Sequence, residues 1–315
     1  MASTLIGTSG FDYAWWHGVN STPSFYPENV PKKDYLQYYS KHFNMVEINS
    51  SFYRCPTANA CKKWFSTTPD HFRFLLKFPR GYTHYFKDIQ DVFPAFHTAV
   101  NELGNKLAGA LLQFGPNFIL KDSNITRLRE ASEYFARAGI QVYIELRHPS
   151  WFRDSNALNN TVLLCKELGW VLVITHTAKD GWLPGNMIQT CPGKIMVRMH
   201  GPWSHSHGDY SIEQLKNLAT QLENIPHKII TFNNTDTYDG QCCIKDVHDD
   251  AGRAEVMEYM SNYGWSEMDF LAYFIGLSAR GRVTQKDLIL RPKTLDYINI
   301  HAIKNATTLS ALMSA

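Results

Sequence analysis

A chain of 315 residues with 44% hydrophobic and 19% charged side chains carries ample apolar surface for a core, which excludes a disordered protein. Thirty-one Lys and Arg against 29 Asp and Glu leave a formal charge of +2, so a nucleic-acid binder running on bulk positive charge is excluded as well, a local patch aside. At roughly 150 residues per domain the length suits two medium domains, or one barrel of about 250 residues with a remainder.

Met1-Ala2-Ser3-Thr4 runs directly into an apolar stretch, without the basic start and apolar region of a secretory signal. No window of about 18 residues is apolar and uncharged throughout, so no membrane span is expected. The six cysteines, at 55, 61, 165, 191, 242 and 243, include no C-x-x-C pair, and the neighbours Cys242 and Cys243 do not close a relaxed disulfide easily. Reduced, buried thiols and a cytoplasmic protein are the expectation.

In chain order, short apolar runs begin near Thr4, Met45, Arg73, Gly109, Gln141, Val171, Lys194 and His227, at steps of 23 to 41 residues. Between them, helical patterns occupy Lys32–Phe43, Ala58–Thr67, Ile89–Leu103, Asn124–Ala138, Leu158–Leu168 and Ser211–Glu223, the last opened by a Ser cap followed by Glu213 and Gln214. Continuous apolar strands are buried on both faces, as in parallel sheets covered by helices. Eight of them alternating with helices predict an α/β fold, a closed (β/α)8 TIM-type barrel. A doubly wound open sheet is the alternative, but neither G-x-G-x-x-G nor G-x-x-x-x-G-K-[ST] occurs.

The strand rhythm stops near Gly264, which predicts a barrel over residues 1–264 and a helical extension over 265–315. The extension holds an apolar helical stretch (MDFLAYFIGL), a basic turn and a weakly helical end. It carries six Lys and Arg against four Asp and Glu, so it holds the whole net charge and the barrel is neutral.

Polar residues stand at the C-terminal ends of strands that should be dry: Glu47 and Asn49, Lys77, Gln113, Glu145 with Arg147 and His148, His176, Arg198 with His200, and Asn233 with Asn234. Period-two alternation puts Glu47 with Asn49, Glu145 with Arg147, and Arg198 with His200 on common faces. Charges are expensive there unless paired or used, and in this fold the mouth at the strand ends is where chemistry is built. Arginine forks suit carboxylate and phosphate oxygens, and amides orient hydroxyls. A small anionic, sugar-like ligand is expected. A zinc or manganese site could draw on Glu47, His84, Glu145, His148, His176 and His200, but Arg147 and Arg198 beside those groups repel a cation; no metal or other cofactor is expected.

The same stretches resemble the YecE-like family (domain of unknown function 72). The matching pieces are Ile6-Gly7-Thr8-Ser9-Gly10, Phe25-Tyr26-Pro27, the run from Val46 to Arg54, Lys77-Phe78-Pro79-Arg80 with Thr83-His84, and Leu112-Gln113-Phe114. The run from Glu145 to Trp151, Arg198-Met199-His200-Gly201 and Phe232-Asn233-Asn234 complete them. The resemblance implies a TIM-barrel-like fold and a shared pocket at these motifs; it implies no reaction. After strand 8 the family continues toward an Asn-Ala pair on its final helix, whereas this chain reads Cys242-Cys243-Ile244-Lys245-Asp246.

Three functions follow as expectations. The first is an enzyme, a hydrolase, lyase or isomerase, acting by acid–base chemistry on a small phosphorylated or carboxylated substrate. Glu47 or Glu145 is then the base, dividing acid and base work with one carboxylate raised by burial. Lys77 or His200 is the acid, Arg147 and Arg198 clamp the anion, and Asn49, Tyr53, Gln113, His148, Asn233 and Asn234 complete the contacts. The second is a nucleic-acid phosphodiesterase-like barrel stacking bases on Trp15, Trp16 and Trp203. The third is a binding or assembly protein that uses the extension, where Phe270, Leu271, Phe274 and Ile275 share a helix face that packs on the barrel or forms a homodimer.

Overall fold

The computed structural model describes residues 3–13, 16, 25–177, 181–184, 187–202, 209–233 and 301–314. The strands are β1 (Ser3–Thr8), β2 (Met45–Ile48), β3 (Arg73–Lys77), β4 (Leu107–Phe114), β5 (Val142–Leu146), β6 (Val171–Thr177), β7 (Gly181–Leu183), β8 (Lys194–Met199) and β9 (His227–Phe232). The helices are α1 (Tyr35–Tyr39), α2 (Ser50–Tyr53), α3 (Ala58–Thr67), α4 (Arg80–Thr83), α5 (Ile89–Val100), α6 (Asp122–Arg137), α7 (Ser155–Leu168), α8 (Ile212–Leu222) and α9 (His301–Ser314). All eight expected strands are present. The ninth, β7, is three residues long and pairs antiparallel with the end of β6, outside the main path.

The eight long strands run parallel in the order β1-β9-β8-β6-β5-β4-β3-β2. A full ladder joins β1 to β9, from Ser3–His227 to Thr8–Phe232, so the sheet returns to its first strand and the doubly wound alternative is excluded. Between β1 and β2 the backbone contributes a single bridge, Ser9 to Glu47, with Gly10 N donating to Glu47 O at 2.8 Å. Side chains take over the rest of this seam. Asn44 accepts from Ile6 N and donates to Thr4 O; the buried Tyr39 hydroxyl accepts from Thr8 N at 2.8 Å and donates to Met45 O at 3.2 Å. Buried backbone groups need partners, and here two side chains supply them in place of a ladder. The strands approach so closely that a Cβ on Gly7 would lie 2.1 Å from Met45 O. The barrel is nearly closed.

The helices follow local signals. Ser211 and Gln214 form a capping box on α8, and Asp154 caps α7 by accepting from Ala157 N. The helical pattern expected over Lys32–Phe43 is a 3-10 turn followed by the short α1, and that over Ile89–Leu103 breaks into a 3-10 segment in which Gly104 turns to φ 46.

α9 packs against α8, β1 and β9. Ala302, Ile303, Ala306 and Leu309 are buried there, and Asn305 in the same helix is buried as well. The stretch MDFLAYFIGL, with Phe270, Leu271, Phe274 and Ile275, lies outside the described residues, as do Cys242 and Cys243. Of the other cysteines, Cys61, Cys165 and Cys191 are buried and Cys55 half-buried, all as free thiols. Among the described residues no helix is long and apolar enough to cross a membrane.

Candidate active site at the barrel mouth

The interior of the barrel is layered with period two. Met45, Leu75, Leu111, Tyr143, Val173, Met196 and Ile229 form an apolar floor, one residue from each of seven strands. Two residues further along the same strands stand Glu47, Lys77, Gln113, Glu145, Thr175, Arg198 and Thr231, so the inward face turns polar at one level. Two residues further still come Asn49, Gly115, Arg147, Thr177, His200 and Asn233, at the ends of the strands.

Arg198 is the hub of the polar layer and is buried. Its Nε and Nη2 grip Glu47 at 3.0 and 2.6 Å, and its Nη1 donates to Glu145 Oε2 at 2.5 Å. Glu47 also accepts from Ser9 Oγ at 2.5 Å and Thr231 Oγ1 at 3.0 Å, while Glu145 Oε1 accepts from Arg147 Nε at 2.6 Å. Burial alone would push both carboxyls up. The charges of Arg198 and Lys77 with the hydrogen bonds of Arg198 and Ser9 bring Glu47 below its ordinary value, and Arg198, Arg147 and His200 hold Glu145 well below it. The expected division of acid and base between these two is therefore corrected: neither rises, both are carboxylates, and their oxygens are occupied. Arg198 is corrected likewise. It stands under the mouth with every arm engaged, so it is not an open clamp.

Arg147 keeps that capacity. Its side chain is 33% exposed and, among the described residues, only its Nε is bonded, which leaves the two outer nitrogens without a hydrogen-bond partner there. Nearby, Lys77 donates to Gln113 Oε1 at 2.8 Å and lies 4.6 Å from the centre of the Phe52 ring. Burial and the neighbouring Arg198 and Arg147 lower Lys77 to about 8, against the pull of Glu47 and Glu145. Among the described residues no carboxylate lies within salt-bridge distance of this amine.

His200 is buried, with Nε2 lying 3.2 Å from Arg198 Nη1. Its other ring nitrogen, Nδ1, lies 2.9 Å from Asn233 Nδ2. Asn49 is fixed similarly: its Nδ2 donates to Ser9 O and Oγ, which leaves Oδ1 buried without a hydrogen-bond partner.

Two expected contacts are not part of this cluster. Tyr53 is 67% exposed on α2, with its ring under the Arg80 guanidinium, and His148 turns Nδ1 back to Ser150 to cap a 3-10 turn. Asn234 lies outside the described residues, as do Trp15 and Trp203. Trp16, expected as an exposed stacking ring, is fully buried against Tyr13 and Phe25. Among the described residues no three His, Cys, Asp or Glu side chains gather as metal ligands would.

Ser9 and Thr231 are partners of Glu47 that sequence reasoning missed; a hydroxyl two residues beyond an apolar inward position was the available signal. His84, named in the sequence only as a possible metal ligand and in the family motif, lies against Phe52 and Gly115. Its ring packs edge-on to Phe52 at 4.9 Å and sits so close to the β4 terminus that a Cβ on Gly115 would lie 2.9 Å from it. Burial, with Lys77, Arg147 and Arg80 nearby, lowers its pKa. His176 is held by Tyr210, whose hydroxyl lies 2.9 Å from its Nδ1 and accepts from Gly201 N. Tyr210 N in turn donates to Asn305 of α9 at 3.3 Å.

Eight parallel strands with a charged layer beneath the mouth define a TIM-type barrel protein. A family model described as "Protein of unknown function DUF72" matches residues 5–258, and the chain belongs to that family. Among relatives, the UPF0759 protein YunF of Bacillus subtilis is 31% identical over 194 residues, spanning 58% of this chain and 68% of that one. A crystal structure of a DUF72 family protein from Enterococcus faecalis superposes with a TM-score of 0.66 at 16% identity, over 99% of this chain and 95% of the other. One from Thermotoga maritima gives 0.61 at 25% identity, over 81% and 98%.

Proposed function

We propose that the mouth binds a small anionic, hydroxyl-bearing molecule, carboxylated or phosphorylated, and that Lys77 carries a proton to or from it. The observation that carries this reading is an amine without a carboxylate partner beside an open arginine fork. A lysine drawn partly out of water is normally paired. Lys77 instead holds a neutral amide, and its lowered pKa puts both protonation states within reach of neutral pH, as proton transfer requires.

Arg147 supplies the anion contact through its outer nitrogens, and Asn49 Oδ1 supplies an acceptor for a ligand hydroxyl. The Glu47–Arg198–Glu145 network holds these groups in place, and His200 and Asn233 border the same space. A cytoplasmic setting belongs to this reading.

Phosphate, sugar phosphates and hydroxy acids should each be tested for a rise in the melting temperature of the full chain. At least one class should raise it, and Arg147→Ala should abolish the rise while Lys77→Met retains part of it. If no anion shifts the wild type, or Arg147→Ala responds equally, the reading fails.

A further inference from the structure

We propose that Lys77 is also a carbonyl-reactive amine, which captures an aldehyde or ketone of the bound anion as a covalent imine. This rests on the anion-site reading above and names its substrate class: small carbonyl compounds that carry a carboxylate or phosphate.

The geometry supplies what such an amine needs. Lys77 is half-buried at the end of β3, in the layer just below the mouth, so its nitrogen is within reach of a ligand lodged there. Two carboxylates share the layer, yet both are taken by arginine forks, and neither pairs with the lysine. An ammonium locked in an ion pair has no lone pair to offer; one hydrogen-bonded only to Gln113 loses a proton without breaking a salt bridge. The amide oxygen accepts equally from the neutral amine. Phe52 covers one side of the nitrogen, and an aromatic face accommodates the cationic imine as it does the ammonium.

The charged groups that bear on Lys77 come from every side: Glu47 on β2, Glu145 on β5 and Arg147 just past its end, Arg198 on β8 and His84 at the end of α4. The arginines disfavour the ammonium before reaction, and the carboxylates stabilise the iminium after it.

The step balances without an added oxidant or reductant. The neutral amine attacks the carbonyl carbon, a C–N bond forms, and the C=O electron pair takes up a proton to give a carbinolamine. A second proton on that oxygen allows the C–O bond to break. The nitrogen, which gave up one of its two hydrogens as the carbinolamine formed, pushes its lone pair in as water leaves, and it retains one hydrogen and the positive charge. Overall, an ammonium and a carbonyl become a protonated imine and one water.

The test is reductive trapping on the full chain. The protein is incubated with pyruvate, or separately with dihydroxyacetone phosphate, and sodium cyanoborohydride, then mapped by peptide mass spectrometry. Lys77 should be labelled about ten-fold or more faster than any other lysine, because at neutral pH its neutral fraction far exceeds that of an ordinary lysine with pKa about 10.4. The labelling rate should rise with pH and level off above about 8, and it should fall in Arg147→Ala. The mass increment should vanish in Lys77→Arg, whose folding is checked by its melting curve. The two carbonyl compounds distinguish a carboxylate-bearing from a phosphate-bearing substrate. Labelling of Lys77 no faster than of surface lysines overturns the proposal. If the same anions still raise the melting temperature, only the imine is refuted; if they do not, the anion site falls with it.

Discussion

Arg198 separates the structural charges of this barrel from the usable ones. It donates to Glu47 through two nitrogens and to Glu145 through a third, and all three groups are buried. Removing one member of such a network leaves charges in a medium that does not solvate them, so Arg198→Met should cost about 3–5 kcal/mol in urea unfolding. The pH dependence should change sign as well. In the wild type Glu47 and Glu145 have lowered pKa values, so their contribution is fully present above the unfolded value of about 4.3 and is lost as pH falls through the folded values. Without the guanidinium, burial dominates at Glu47 and raises its pKa above the unfolded value. The native state then binds the proton more readily, and stability should increase as pH is lowered from 7 toward 5. Unfolding curves at several pH values check both signs; a variant that keeps the wild-type slope would show that Arg198 is not the compensating charge.

At the scale of elements, the weakest join in the barrel is the seam between β1 and β2. Tyr39→Phe removes the hydroxyl that serves Thr8 N and Met45 O, and leaves a buried donor and acceptor unsatisfied. A loss of about 1–3 kcal/mol is expected, together with faster hydrogen exchange at the Thr8 amide. Unchanged exchange there would mean that the seam does not depend on this side chain. The elements also show how far the sequence could be read. Each long strand is built on a short apolar run, because both of its faces are largely buried, and runs of that kind are visible in any sequence. The polar layer was visible for the same reason: a Glu, Lys or Arg two residues beyond an apolar inward position breaks the pattern. Which charge meets which was not visible. Arg198 and Glu47 are 151 residues apart, and only closure of the barrel brings them together. Nor was the seam, since Asn44 and Tyr39 replace a backbone ladder and follow no periodicity. β7 is too short to show any.

For the whole molecule, α9 matters more than its weak helical pattern implied. It covers β1, β9 and α8, and Asn305 ties its middle to the Asp209-Tyr210 segment, donating to Asp209 Oδ1 at 2.7 Å and accepting from Tyr210 N. Tyr210 passes the constraint on to His176 and Gly201 at the mouth. Deleting residues 301–315 removes the buried Ile303 and Leu309 and uncovers the strand surface beneath them, at roughly 1.5–3 kcal/mol for each large side chain lost. The truncated chain should aggregate or melt far lower than the intact one. Asn305→Ala is the milder variant: it should remain folded but shift the His176 ring resonances in an NMR spectrum. A soluble truncated barrel with an unchanged melting temperature would make α9 an accessory instead of a wall of the fold.

The β1–β9 ladder has a consequence for how the molecule is made. Ser3 and His227, which begin the ladder, are 224 residues apart, and the other neighbour of β1 meets it by one backbone bridge and a few side chains. On a ribosome adding about 5–20 residues per second, β1 waits roughly 10–50 s for its partner. Throughout that interval Ile6 belongs to a nascent segment with a free edge, and α9, which packs on β1, is made later still. β1 is thus seated long after it is synthesised, and a ribosome that stalls before β9 leaves it exposed.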